Sequence, residues 1–267
     1  MRYLHPMRID VHTHAFHPQI AHKVLAQLEA HYAIHPVGLG TAEDLLIHMR
    51  RADLDKAVVL CAATNPAQVI PANAYAIELQ RSYPELIAFG TIHPGFADWD
   101  AQLASLKAAG IPGLKLHPDF QGFWLNDPRL LPMFEAAQDD FIFMVHIGDR
   151  LPPQQNPSCP YKLAAILDEF PRLRVIGAHL GGYMQWEHSL KALAGRDVWL
   201  DTSSCMDAIG TVELHAILRV HPRERLLFGS DYPLFDPLVE YRRLQQRARF
   251  SDADMDALLS NARHLFV

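Results

Sequence analysis

The feature that most limits what this chain can become is a cadence. Short apolar runs recur in register with helical segments, and from His14 to Asp231 the runs end seven steps apart at about 31 residues per step, the length of a strand–helix–strand unit. The runs fall at residues 7–11, 57–62, 86–92, 113–117, 141–146, 174–179, 198–201 and 225–231. Several are apolar without alternation, as in Ala57-Val-Val-Leu-Cys-Ala62 and Phe141-Ile-Phe-Met-Val145, which is the pattern of strands covered on both faces. Between them lie segments with apolar residues at helical spacing: 19–31, 41–53, 73–83, 98–109, from 128, 161–170, 207–220, from 237 and 251–265. Thr41-Ala-Glu-Asp44 and Ser251-Asp-Ala-Asp254 have the form of helix starts. Eight strands alternating with helices predict a closed parallel barrel of the TIM type, (β/α)8, and 267 residues without a low-complexity linker predict one domain over 1–267.

In such barrels chemistry collects where strands end. Here those ends carry His12 and His14, His93, Lys115 and His117, His146, His179, Asp201 and Asp231. A buried strand end is a costly place for a polar group unless it is paired or ligated, so this convergence argues for a site. In Asp10-Val-His12-Thr-His14 the two histidines are two residues apart in an extended segment, so both imidazoles reach one side and one ion. The chain holds 16 histidines. Others, His22, His48, His188 and His215, fall on expected helix surfaces, where they have no such role.

Composition narrows the partners. The formal charge of -6 and pI near 6.2 argue against nucleic acid and against anionic membrane surfaces, both of which favour basic proteins. Cys61, Cys159 and Cys205 are odd in number and scattered, which fits reduced thiols in a cytoplasm. The first residues show no signal-peptide core, and no run of about 18 apolar residues occurs. A cytoplasmic protein with a small-molecule substrate is expected, and a homodimer is compatible with this reading.

Taken together, Asp10-Val-His-Thr-His14, Lys115-Leu-His-Pro118, Val145-His146, Ala178-His-Leu-Gly-Gly182, Gly229-Ser-Asp-Tyr-Pro233 and Asn261-Ala-Arg-His-Leu-Phe266 resemble the amidohydrolase superfamily. The resemblance is to the amidohydrolase-related branch, which also contains non-oxidative decarboxylases, and it runs from residue 7 to the end. It implies a divalent metal held by His12, His14, His146 and Asp231, with zinc expected and manganese an alternative. Asp231 would also carry a proton, and His179 would stand beside the metal to stabilise an oxyanion or move a proton. The same resemblance gives Lys115 two possible roles: a carbamate bridging two ions, or an ammonium facing a substrate carboxylate with one ion only. The second is favoured.

Lys115, His117 and Arg150 are the candidate substrate contacts. The proline- and glutamine-rich stretch 147–160 is expected to be a mobile loop, with Asp149, Tyr161 and Tyr183 as further gate residues. His93, His117 and Asp201 are expected to support the ligands or line the pocket, and the aromatics from Phe120 to Trp124 to wall it. The leading activity is hydrolysis of an amide, ester or lactone through a metal-activated water. The alternative is metal-dependent decarboxylation of an aromatic or enoic acid, and a barrel that binds without turnover is the least favoured reading.

Overall fold

A computed structural model of the protein describes residues 6–266, so residues 1–5 and 267 of the expected domain lie outside the described residues. The strands are β1 (Ile9–Thr13), β2 (Lys56–Leu60), β3 (Leu86–Thr91), β4 (Gly113–Leu116), β5 (Ile142–Val145), β6 (Arg174–Gly177), β7 (Trp199–Asp201) and β8 (Leu226–Leu227). They form one parallel sheet in chain order. The ring closes where the Val11 amide donates to the Phe228 carbonyl at 2.9 Å and Thr13 bridges Tyr232.

Helices cover the outside: α1 (Ala21–Tyr32), α2 (Ala42–Arg51), α3 (Val69–Ser82), α4 (Trp99–Ala108), α5 (Pro118–Gln121), α6 (Leu131–Ala137), α7 (Pro160–Glu169), α8 (Trp186–Ala192), α9 (Thr211–Val220), α10 (Pro237–Ala248), α11 (Asp252–Ser260) and α12 (Arg263–Phe266). The apolar runs divide by the two-residue period of a strand. Val58, Leu60, Ile87, Phe89, Ile142 and Met144 fill the barrel interior, while Ala57, Val59, Ala88, Phe143 and Val145 pack under the helices. Ala262 with Leu265 and Phe266 of α12 closes the floor, Phe266 edge-on to Phe89 at 5.9 Å. The interior is therefore apolar at its base, and the polar side chains Lys115 and Asp201 stand above it on β4 and β7. No helix among the described residues is long and apolar enough to cross a membrane, and the three cysteines are free and buried.

Departures from the sequence reading have local causes. β8 ends at Leu227, four residues before Asp231, because the chain turns there with Asp231 at φ +64°. A one-turn helix, α5, replaces the expected loop: Pro118 opens it and His117 Nδ1 accepts from the Phe120 amide. The helix expected from 207 is α9 and starts at Thr211, and the last breaks into α11 and α12 at Asn261, whose side-chain amide donates to the carbonyls of Arg223 and Leu226. The stretch 147–160 is tied down rather than free. Asn156 and Ser158 are buried and donate to Asp119, and the Gln185 amide donates to the carbonyls of Asp149 and Leu151. His48, expected on a surface, is buried with its Nδ1 2.8 Å from Asp236.

The seam between β8 and β1 leaves no room for a side chain at Gly229. A Cβ there would lie 2.8 Å from the His12 Cβ and 3.1 Å from that of Ser203. Gly229→Ala is expected to destabilise the protein by about 1–3 kcal/mol through overpacking, read as a lower melting temperature; an unchanged melt would refute the tight seam.

Candidate metal centre

β1 carries a bulge: Asp10 pairs with Ala57 but Thr13 with Val59, so one extra residue lies between them. Bulges turn side chains out of the regular pleat, and this one holds His12. The His12 amide donates to Asp10 Oδ1, which also accepts from the Ser230 amide, so one carboxylate pins the bulge to the turn after β8. Burial pushes the Asp10 carboxyl up to about 7.

The tautomers follow from the partners. His12 Nδ1 is 2.9 Å from Asp201 Oδ2, and His14 Nδ1 is 3.1 Å from the Leu60 carbonyl. Both partners only accept, so each proton sits on Nδ1 and each Nε2 is left as a lone pair. Those two lone pairs face Asp231 Oδ1, at 3.5 Å from His12 and 3.3 Å from His14. Three acceptors thus converge without a donor among them. Two ligand atoms at about 2.1 Å from one zinc ion stand roughly 3.4 Å apart at the tetrahedral angle, so these spacings fit a divalent cation.

Charge states agree. Burial lowers the His12 imidazole to about 4, with Lys115 adding to the effect, so it is neutral near pH 7. Burial works to raise the Asp201 carboxyl, but the His12 Nδ1–H and the Ser203 hydroxyl that donate to it outweigh the burial and hold it below the usual range. Asp231 Oδ2 accepts from the Ser204 hydroxyl, which keeps the carboxylate turned with Oδ1 toward the histidines.

His146 stands at the same mouth but outside that trio. Its Nε2 lies 3.0 Å from the Gly148 carbonyl, its Nδ1 3.0 Å from His179 Nε2, and His179 Nδ1 3.0 Å from the Ser203 carbonyl. Three contacts need three protons, and two neutral imidazoles bring two. Burial lowers both rings, so a third proton is disfavoured and the pair is short of one positive charge. Stacked on His146 at 3.8 Å, the His117 ring has Nε2 3.4 Å from the Tyr32 hydroxyl.

Lys115 is 1% exposed, lines the cavity, and its amine has no hydrogen-bond partner among the described residues. Burial lowers it to about 8 against the pull of Asp231 and Asp201. Arg150 is exposed and lies outside the cavity lining. Tyr161 points away to His188, and Tyr183 packs against His146 and His179. His93 binds the Gln121 carbonyl and supports α5. Of the aromatics, Phe120 lines the cavity, Phe123 is buried and Trp124 lies outside beneath Lys162.

Sequence reasoning missed Ser203, Ser204 and Tyr32. The two serines were visible only as the tail of Asp201-Thr-Ser-Ser204, and Tyr32 only as the residue after the helical segment 19–31. Three residues at this centre, His179, Ser204 and Asp231, have φ of +60°, +52° and +64°, a region that costs a side-chain-bearing residue about 1 kcal/mol or more. Such strain concentrates where side-chain direction matters more than backbone ease.

Comparison with known proteins gives the same picture at the level of fold. The amidohydrolase family model matches residues 9–266. An uncharacterised TIM-barrel protein from Bordetella bronchiseptica superposes with a TM-score of 0.77 at 17% identity, covering 97% of this chain and 98% of its own. A 5-carboxyvanillate decarboxylase from Novosphingobium aromaticivorans, complexed with manganese and 4-hydroxy-3-methoxy-5-nitrobenzoic acid, gives 0.70 at 16%, covering 98% and 96%. A Pseudomonas putida protein proposed to be a 2-pyrone-4,6-dicarboxylic acid hydrolase gives 0.68 at 18%, covering 98% of each chain.

Asp201→Asn would put an amide donor against His12 Nδ1 and move the imidazole proton to Nε2. Metal affinity, measured by competition with a chromophoric chelator, is expected to fall about 10–100-fold with the fold intact. Wild-type affinity in a folded variant would refute the tautomer assignment.

Proposed function

The chain belongs to the amidohydrolase family, and on that premise we propose that it is a metal-dependent hydrolase cleaving an amide, ester or lactone bond in a small carboxylated molecule. One observation carries the reading: three lone-pair donors converge at the same cavity wall as the buried, unpartnered Lys115 amine. The first calls for a cation, the second for an anionic substrate group.

A divalent cation held by His12, His14 and Asp231, with His146 as a fourth ligand in exchange for its contact to His179, would polarise a substrate carbonyl and make water acidic near neutrality. Nitrogen and oxygen donors suit zinc, and the manganese of the decarboxylase neighbour supports that ion as a substitute. Lys115 holds the substrate carboxylate as an ammonium. A carbamate there would need a second ion on His146 and His179, whereas one ion leaves the Lys115 amine free for the substrate and is the reading favoured. Asp231 takes a proton from the attacking water and returns it to the departing nitrogen or oxygen, while His179 stabilises the charge that develops on the carbonyl oxygen.

A second reading has its own support. Lys115 and the ligand trio line the same cavity, so one carboxylate could meet both, and a structural neighbour is a decarboxylase. In that case Asp231 or His179 protonates the carbon from which CO2 departs.

Turnover of a carboxylated ester and lactone panel in 18O-water distinguishes them. Hydrolysis places one labelled oxygen in the product acid and releases no CO2; CO2 release with no label in the remaining organic product would replace the first reading by the second. Under either, Asp231→Asn should lower kcat/KM by about a thousandfold or more. A variant keeping a tenth of wild-type activity would remove Asp231 as proton carrier.

Protonated Lys115 is lost as pH rises through about 8. KM for a carboxylated substrate is therefore expected to climb above that pH while kcat changes little, and Lys115→Met should abolish the step. A step that persists in the variant assigns it to another group.

A further inference from the structure

Only part of the cavity wall is used by the reaction. The cavity holds about 540 Å3, and among its lining residues only Lys115 and Asp231 carry formal charge. Its remaining walls are of another kind. Ile20 just before α1 and Val24 and Leu28 on it form one wall, and Leu60 and Cys61 at the end of β2 with Ala72 on α3 form another. The outer rim is polar but uncharged, with Gln19, Thr64 and Gln68.

The apolar side of α1 is not explained by core packing. Ala21 is its one buried residue, and Val24 and Leu28 are only half-buried although they line the cavity. A helix that turns an apolar stripe toward a void leaves that surface to be covered by whatever fills the void. At the roughly 30 Å3 a water molecule takes in the liquid, the cavity has room for about 18 non-hydrogen atoms, about twice what a single carboxylated ring needs.

We infer that the channel between α1 and the β2–α3 segment seats an extended apolar group of the substrate, an alkyl or aryl chain of roughly eight to twelve carbons once the carboxylate and a hydrated ion have taken their share of the roughly 18 atoms, whose carboxylate meets Lys115. This rests on the proposed function in one respect, the carboxylate seat at Lys115. The uncharged lining excludes a second charge along the chain, and the rim accepts a polar but neutral far end. Val24, Leu28 and Ala72 then set specificity by chain length.

Calorimetric titration of the metal-reconstituted protein with straight-chain carboxylates from butanoate to dodecanoate tests this directly. Affinity should rise about threefold for each added methylene and level off near decanoate. Val24→Trp and Ala72→Trp fill the channel from opposite walls, so each should cost decanoate at least thirtyfold and flatten the series. Lys115→Met should weaken every member alike and leave the slope. A flat series in the wild type with butanoate bound would overturn the channel while keeping the seat, as would two tryptophan variants that melt like wild type and retain the slope. No binding of any member, butanoate included, would remove the seat, and the proposed function and this inference with it.

Discussion

The site depends on the seam where the last strand meets the first. The Asp231 amide donates to the His12 carbonyl at 2.8 Å, and the His14 amide to the Tyr232 carbonyl at 2.7 Å. These two bonds interleave the residue pair from one end of the chain with the carboxylate from the other. Because β8 is only two residues long, the seam is held by the turn that follows it rather than by a long ladder. Gly229 lets the two backbones approach, and the Asp10 carboxylate fastens both sides.

From that seam the electrostatics follow outward. Asp201 on β7 fixes the proton of His12, Ser204 on the next turn fixes the rotation of Asp231, and Leu60 at the end of β2 fixes His14. Each of these groups only accepts toward an imidazole or only donates toward a carboxylate, so the directions of the lone pairs are set before any ligand arrives. Preorganisation of this kind is what allows fixed dipoles to act without rearranging during a reaction.

The barrel was legible in the sequence because each parallel strand, buried on both faces, must be apolar along its length, and the chain repeats such runs at one spacing. The convergence of His12, His14 and Asp231 was legible for the same reason, since strand ends meet at one rim. What escaped depends on tertiary detail without a periodic trace. Arg150 is a gate candidate in the sequence, and its side chain is exposed and outside the cavity lining, in a stretch held by the bonds of Asn156 and Ser158 to Asp119. Tyr32 ends the helix expected over 19–31, but nothing in the sequence turns its hydroxyl toward His117. The left-handed turns at His179 and Ser204 have no signature in residues that ordinarily avoid them.

α1 makes few firm attachments to the scaffold beneath it: Ala21 alone is buried and its first turn has no side-chain cap. Segments so weakly coupled to a fold can be exchanged between relatives, lengthened or replaced with little penalty to stability. In this molecule the helix from Ala21 to Tyr32 is therefore the part of the mouth that can be reshaped at least cost, whereas residues 37–40 behind it are fastened to Tyr232 and Pro233 and the ion-binding rim stays as it is.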